Sequence, residues 1–413
     1  MRAHAREMKM AKESDAPLGA GSRKRLILPS LTFTSFVTGT PGILTGLLLI
    51  DIGVTFGVSV GIMGQIHTAS SLVAFISALL VGALSVRFRH KSLLWYGLLC
   101  VLVSALGCAF SQSYLMMLVF YPLTGFGMSL TGTMALTLIA EYFSLESRSK
   151  AISWNIAGGS LAYLIGSLVI TFLSGYGGWR LAYTGFVIPA TIIGLILAYF
   201  GLPSTPQNST DKLKRRSFME GYKAVLLNKS AVACQWGTIL RTASFQMVLL
   251  YGVSFFRQQF ELSLGGSSLL VVSVALCYTA GSLSMSRFEG RFGRKGLTVI
   301  TSSLAGLFTL LMTITPSFWV ALTMDIVSCL FFGISASAAS SLNLEQVPDY
   351  RSFMMSLGSA TGGVGAALGA GLGGFILLGY GYGMVGVVLG ALGILSAIII
   401  FRAAVDPAAQ RKA

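Results

Sequence analysis

GRFGRK, residues 290–295, is a basic hexapeptide set between two long apolar runs. Three settings account for such a knot: a nucleic-acid patch, a phosphate-cradling loop, or a turn at a membrane surface. The rest of the chain decides between them. Of 413 residues, 54% are hydrophobic and 10% charged, and the mean hydropathy is +0.77. A soluble chain carries about a quarter charged residues, so this composition is that of a polytopic helical membrane protein. A formal charge of +15 would suggest nucleic acid in a soluble protein. Here its distribution matters more than its total.

Outward from the hexapeptide, apolar runs long enough to span a bilayer (~20 residues) recur twelve times. They cover 26–50, 61–84, 93–110, 114–139, 151–174, 181–201, 232–256, 265–286, 297–315, 318–343, 354–378 and 382–402. The fold class this implies is an all-α integral membrane protein of twelve transmembrane helices in two six-helix pseudo-repeats. Its expected parts are a cytoplasmic tail (1–25), a first bundle (26–201), a cytoplasmic linker (202–231), a second bundle (232–402) and a cytoplasmic tail (403–413). The basic N-terminal stretch leads into its apolar run without a small-residue cleavage site, which reads as a retained helix.

Lysine and arginine set the orientation. With the N-terminus inside, every one of the 29 basic residues falls on the cytoplasmic side except Arg180, Arg241 and Arg257. So strong and regular a bias fixes the topology and its sign, in a plasma or inner membrane with both termini cytoplasmic. The basic surplus is an orientation device, and no nucleic-acid partner is expected.

Sliding the chain by 204 residues superimposes its halves. Arg87, Phe88 and Lys91 fall on Arg291, Phe292 and Lys295, Ser59 on Ser263, and Glu141 on Glu345. Gly175-Tyr176-Gly177 falls on Gly379-Tyr380-Gly381, and Arg148 meets Arg351 after a one-residue adjustment. Two homologous six-helix halves related by an axis along the membrane normal follow from this.

These turns resemble a signature of the major facilitator superfamily, G-x-L-x-D-R-x-G-R-K. In GALSVRFRHK (82–91), Gly82, Leu84, Arg87 and Lys91 match, with Val86 at the acidic position and Arg89 at the second glycine. In the second copy Arg291, Gly293, Arg294 and Lys295 match, and Gly290 stands at the acidic position beside Glu289. In the family that acid helps latch the cytoplasmic side. LIAEYFSLESRSKA (138–151) is similar to the family's 4–5 region, with Glu141 and Arg148 in place, and GGWRLAY (177–183) to its 5–6 turn. YPLTGFG (121–127) places Tyr121 where the family's span four has arginine, and Gly166-Ser167 keeps half of an exporter-associated G-P. The resemblance implies a secondary transporter worked by alternating access, near the twelve-helix drug–proton antiporters.

Charges inside a span cost roughly 2.5–3.5 kcal/mol each on insertion scales, so Arg241 in the seventh run and Asp325 in the tenth stand out. In this family spans one, four, seven and ten line the central cavity, which would let both face it. Three readings follow: a structural ion pair, a proton carrier at Asp325 tuned by Arg241, or a clamp at Arg241 for an anionic substrate. Thr38, Tyr121 and Thr124 with Gln246 would line the opposite wall, against ordinary helix packing for each. Many exporters of cationic drugs carry a buried carboxylate early in the chain. Here the first run has only Asp51, at its outer end, which counts against a strictly cationic substrate. His67 reads as a packed, hydrogen-bonded histidine rather than a proton relay.

Other matches fail their context. GAGLGG (369–374) fits G-x-G-x-x-G but has no preceding strand. Gly365, Gly369 and Gly373 instead form a small-residue face for close helix approach. The sequons NST (208–210) and NKS (228–230) fall on the cytoplasmic side. The five cysteines lie in apolar runs as small buried side chains, and the three histidines lack metal-ligand spacing. No cofactor, metal or enzymatic activity is expected. The expected partners are a small-molecule substrate, protons as coupling ion, and the lipid bilayer around a monomer. The leading expectation is proton-coupled export of a small amphiphilic or drug-like compound, and the alternative is uptake of a small metabolite or organic anion.

Overall fold

A glycine divides each of three double-length helices. The computed structural model describes residues 20–143, 145–203, 225–347 and 351–406. Among these residues, nine helical stretches are long and apolar enough to cross a membrane, and three of them run 47 to 52 residues. At about 1.5 Å per residue such helices would exceed twice the ~30 Å hydrocarbon core. Each breaks instead. Gly178 (φ 69°), Gly293 (φ 67°) and Gly381 (φ 74°) adopt left-handed backbone in mid-stretch, which a residue with a Cβ seldom does. Nine stretches thereby make twelve crossings, and no strand occurs among the described residues. Helices close every backbone hydrogen bond internally, which hydrocarbon requires.

The crossings are α1 (Ala20–Leu47, resumed at Leu49–Phe56), α2 (Val60–Arg87), α3 (His90–Ala109) and α4 (Tyr114–Phe120, resumed at Pro122–Tyr142). Next come α5 (145–176), α6 (179–201), α7 (229–259) and α8 (264–292). The last four are α9 (294–314), α10 (Phe318–Gln346), α11 (351–380) and α12 (382–403). Three π-helical turns interrupt α5, α6 and α7, at Ala162–Gly166, Tyr183–Val187 and Met247–Tyr251.

The 204-residue repeat extends to backbone detail. Gly57 (φ 65°) and Glu261 (φ 53°) occupy equivalent turns in the left-handed conformation. The serine that follows each caps the next helix: Ser59 Oγ accepts from Ile62 N and Ser263 Oγ from Gly266 N. Gly293 and Gly381 turn the second half, as Gly178 turns α5 into α6.

Small residues set the packing, since lipid supplies no hydrophobic drive between helices. The α11 glycine face lies on α7: a Cβ at Gly365 would fall 2.3 Å from Ile239 O, and one at Gly369 the same distance from Ala243 O. On α4, a Cβ at Gly125 would fall 2.0 Å from Ser70 O of α2. Gly125→Val should therefore cost about 1–3 kcal/mol by overpacking, lowering the unfolding midpoint in detergent. Gly132→Ala, in open space on the same helix, should leave the midpoint unchanged.

The two sets of six helices meet on one side. Call the end carrying the turns at 87–91 and 287–295 the basic face. Away from it, Gln65 Nε2 of α2 donates to Gly371 O of α11 at 3.3 Å. There too, Arg257 of α7 holds Asp51 of α1 through both carboxylate oxygens, with Nη2 to Oδ1 at 3.0 Å. These contacts close the interior at the face opposite the basic one.

Candidate functional site

A cavity of about 190 Å³ lies between the two sets of helices. Its wall draws on α1, α2, α4 and α5 on one side and on α7, α8 and α10 on the other. Two of the three π turns contribute, through Tyr163 in α5 and Val248, Leu249 and Leu250 in α7. Such turns widen a helix locally and re-aim its side chains, and they recur at functional sites.

Most of the wall is apolar, with Ile43, Leu47, Met128 and Val271 among its surfaces. Two polar features lie on it, one from each set of helices. On the first, His67 of α2 and Tyr121 of α4 line the wall and are both hydrogen-bonded to Thr45 of α1. Thr45 Oγ1 lies 2.8 Å from Tyr121 Oη and 2.9 Å from His67 Nε2. The Tyr121 and His67 rings stand 5.1 Å apart. Behind them Ser104 Oγ and Thr124 Oγ1 bond at 2.7 Å. On the second wall, Asp325 of α10 is 1% exposed and its Oδ1 has no hydrogen-bond partner.

Tyr121, Thr124, Gln246 and Asp325 thus line one cavity. Thr38 does not: its hydroxyl donates to Ser35 O within α1. Arg241 also stays off the wall. It lies five residues below Gln246, more than one helical turn of 3.6 residues toward the basic face. The ion-pair reading is corrected here: among the described residues no ion pair joins Arg241 to Asp325, and Arg241 Nε and Asp325 Oδ1 are each buried without a hydrogen-bond partner. His67 is packed and hydrogen-bonded, as its sequence setting implies. Thr45 was missed, although it lies seven residues, two helical turns, beyond Thr38 on the face that Thr38 marked.

At the basic face, acids not supplied by the signature positions surround the turn. Arg294 Nε donates to Glu289 Oε1 at 2.6 Å, and its Nη1 lies 3.6 Å from Glu345 Oε1. The Glu289 hydrogen bond, followed by the charges of Glu289, Glu345 and Asp406, raises the Arg294 pKa above its ordinary value. Asp406, just beyond α12, accepts from the backbone N–H groups of Arg294 and Lys295 at 3.2 and 3.3 Å. It thus stabilises the start of α9 where Gly293 turns the chain. Gly290 has no neighbour near its Cβ position, and Arg291 rests on the Phe292 ring. In the first half, the residue equivalent to Arg294 is His90, whose Nδ1 meets Glu141 Oε1 at 2.5 Å. Lys91 donates to the carbonyls of Tyr199 and Leu202 at the end of α6. The surroundings of Gly82 and the side chains of Arg87, Arg148 and Arg351 lie outside what the structure describes, as does most of the linker, 204–224. Among the described residues no group of histidine, cysteine or acid side chains is arranged to hold a metal.

Twelve helical crossings in two repeated halves around a central cavity define a membrane transporter. The chain belongs to the Major Facilitator Superfamily, whose family model matches residues 31–263 and 237–413. Among curated relatives, a putative metabolite transport protein of Haemophilus influenzae is 26% identical, covering 56% of this chain and 59% of the relative. A probable 4-methylmuconolactone transporter of Cupriavidus pinatubonensis is 23% identical, covering 65% and 64%. A 4-hydroxybenzoate transporter of Acinetobacter baylyi is 28% identical, covering 46% and 41%. The chain therefore spans less than two thirds of each relative's length. A crystal structure of a D-xylose–proton symporter shares the fold, with a TM-score of 0.76 at 17% identity, covering 92% of this chain and 98% of that one. A nucleoside transporter structure gives 0.74 at 15% identity, covering 91% and 99%.

Proposed function

We propose that this protein is a proton-coupled secondary transporter that exports a small amphiphilic compound from the cytoplasm by alternating access. The observation that carries the reading is Asp325. A buried carboxyl without a partner is costly when charged, so occupancy by a proton or by substrate stabilises the site. Mutually exclusive occupancy of one carboxyl couples two fluxes in opposite directions. With the basic face in the cytoplasm of a plasma or inner membrane, the conformation is the inward-facing one, closed outside by the Asp51–Arg257 clamp. The apolar wall suits an amphiphile, and Gly166 closing a π turn in α5 retains half of the marker of the drug–proton antiporters. The monomer holds the whole site.

Uptake of an organic anion is the second reading, favoured by the names of the 4-methylmuconolactone and 4-hydroxybenzoate relatives. A cavity wall with a carboxyl and no lysine or arginine weighs against it. Proteoliposomes holding a pH-sensitive dye separate the two. Export by antiport predicts that substrate addition drives protons outward against substrate entry, in proportion to substrate moved. Proton entry together with substrate would reject antiport.

A further inference from the structure

The donors and acceptors of the cavity wall specify what it binds. Thr45 has one hydroxyl hydrogen and two lone pairs. Its hydrogen goes to the helix carbonyl of Pro41 at 2.9 Å, with Gly42 O at 3.2 Å, the usual bond of a threonine inside a helix. With that hydrogen assigned to the helix, both neighbours donate to Thr45: Tyr121 through its phenolic hydrogen and His67 through Nε2–H. In this assignment His67 Nδ1 is left as an acceptor. Tyr121 Oη, its hydrogen already committed, is also an acceptor. Tyr121 Oη lies 3.4 Å from Nδ1 and 3.5 Å from Nε2, and in this assignment no hydrogen is shared between Oη and Nδ1. They form an acceptor pair that calls for a donor from outside.

The facing wall makes the same demand more strongly. Asp325 offers a carboxylate oxygen without a partner. Gln246 turns its amide nitrogen onto Ala366 O at 3.3 Å, leaving its carbonyl oxygen. Tyr163, Ser70 and Ser71 contribute hydroxyls that serve either role. Among the described residues no cation lines the cavity. Its volume of about 190 Å³ slightly exceeds the roughly 150 Å³ cavity known to hold benzene, which sets the apolar body at one ring.

We infer that the substrate is a single-ring organic amine carrying a second hydrogen-bond donor, with its ammonium on Asp325 and its second donor on the Tyr121–His67 pair. The inference rests on the transporter reading and narrows its substrate class. It also answers the lack of an early carboxylate: in the first half neutral acceptors take that place. Because Asp325 belongs to the second half and Tyr121 and His67 to the first, such a substrate bridges both. A compound gripped from one side only would gain less from the bundles' closure around it.

The test is binding of four matched probes to the purified full-length protein, read by thermal shift and calorimetry. Tyramine carries both groups, 2-phenylethylamine lacks the hydroxyl, tyrosol replaces the ammonium with an alcohol, and 4-hydroxyphenylacetate replaces it with a carboxylate. Tyramine should bind roughly tenfold or more tighter than either partial probe, on the scale of one hydrogen bond to a charged group, and the carboxylate should not bind. Asp325→Asn should erase the preference for tyramine over tyrosol and leave that over 2-phenylethylamine. Tyr121→Phe should do the reverse, a crossed pattern that general loosening of the fold would not give. Unliganded unfolding midpoints identify any variant that fails to fold, and Thr45→Val, which frees the tyrosine and histidine hydrogens, should also erase the hydroxyl preference. Equal or tighter binding of 4-hydroxyphenylacetate overturns the inference, as does binding of none of the four. Either result leaves the proton-flux measurement to judge the transporter reading by itself.

Discussion

Asp325→Asn in proteoliposomes should abolish substrate accumulation driven by a pH gradient while sparing substrate exchange at equal pH and saturating substrate. For one-for-one exchange a gradient of one pH unit stores about 1.4 kcal/mol, so the wild-type protein should accumulate substrate about tenfold. The variant should reach a ratio near one. Asparagine keeps the shape of the carboxyl and its acceptor oxygen but cannot exchange a proton. Bundles that rock only when loaded would still carry substrate both ways, which is why exchange survives. Glutamate at the same position should restore some coupling. Full pH-driven accumulation by Asp325→Asn would remove Asp325 from the proton path. The arginine clamp at Arg241 fares differently, since Arg241 stands more than a turn below the cavity wall. Arg241→Gln should alter stability more than coupling.

Much of this was legible in the sequence because a bilayer imposes few alternatives. Twelve apolar runs and the lysine and arginine bias leave little freedom in the fold. The glycine face at Gly365 and Gly369 was readable for the same reason, since only small residues let helices approach this closely. The cavity was half legible. Asp325 announced itself as a charge in hydrocarbon, and Tyr121 as a departure from the family's arginine. Thr45 gave no such signal, because threonine within a span is common and its importance comes from two partners on other helices. The Arg241–Asp325 pairing failed because depth along a helix says little about which side of the helix a residue faces. The π turn at Met247–Tyr251 further changes that facing, and no simple residue pattern marks it. The missing acid of the GRFGRK turn was not legible either: Asp406 arrives from beyond α12, more than a hundred residues away in sequence. Shifted back by 204 residues, it falls on Leu202, whose carbonyl receives Lys91. The two halves therefore tie the same corner together with the same polarity, the lysine position donating and the position after the last helix accepting, through a side-chain ammonium in one half and a backbone N–H in the other.

A reversible cross-link at the Asp51–Arg257 clamp should stop transport altogether. The two residues join α1 to α7 at the face away from the basic turns, through a two-pronged contact between guanidinium and carboxylate. Arg257 is 16% exposed and Asp51 37%, so solvent screens the pair, and losing its charge should shift the balance of conformations only modestly. Removing the freedom to part is a stronger intervention. With Asp51→Cys and Arg257→Cys joined by a short bis-methanethiosulfonate, which forms a reducible disulfide at each cysteine as sulfinate leaves, the outer side cannot open, and a carrier that must open each side in turn has no cycle left. Both net transport and exchange should vanish and return on reduction. Cys108, Cys234 and Cys329 are buried, whereas Cys100 and Cys277 are partly exposed. The single-cysteine variants treated with the same reagent therefore control for reaction at native thiols, and they should keep transporting. Exchange that persists in the cross-linked double variant would show that substrate passes without separation of α1 from α7. Alternating access through the opposite face would then be excluded. Substrate binding measured in the locked protein separates gate from site, because the Asp325 wall and the Thr45–Tyr121–His67 wall remain intact behind the clamp. Tyramine should still bind there, reaching the cavity from the basic face.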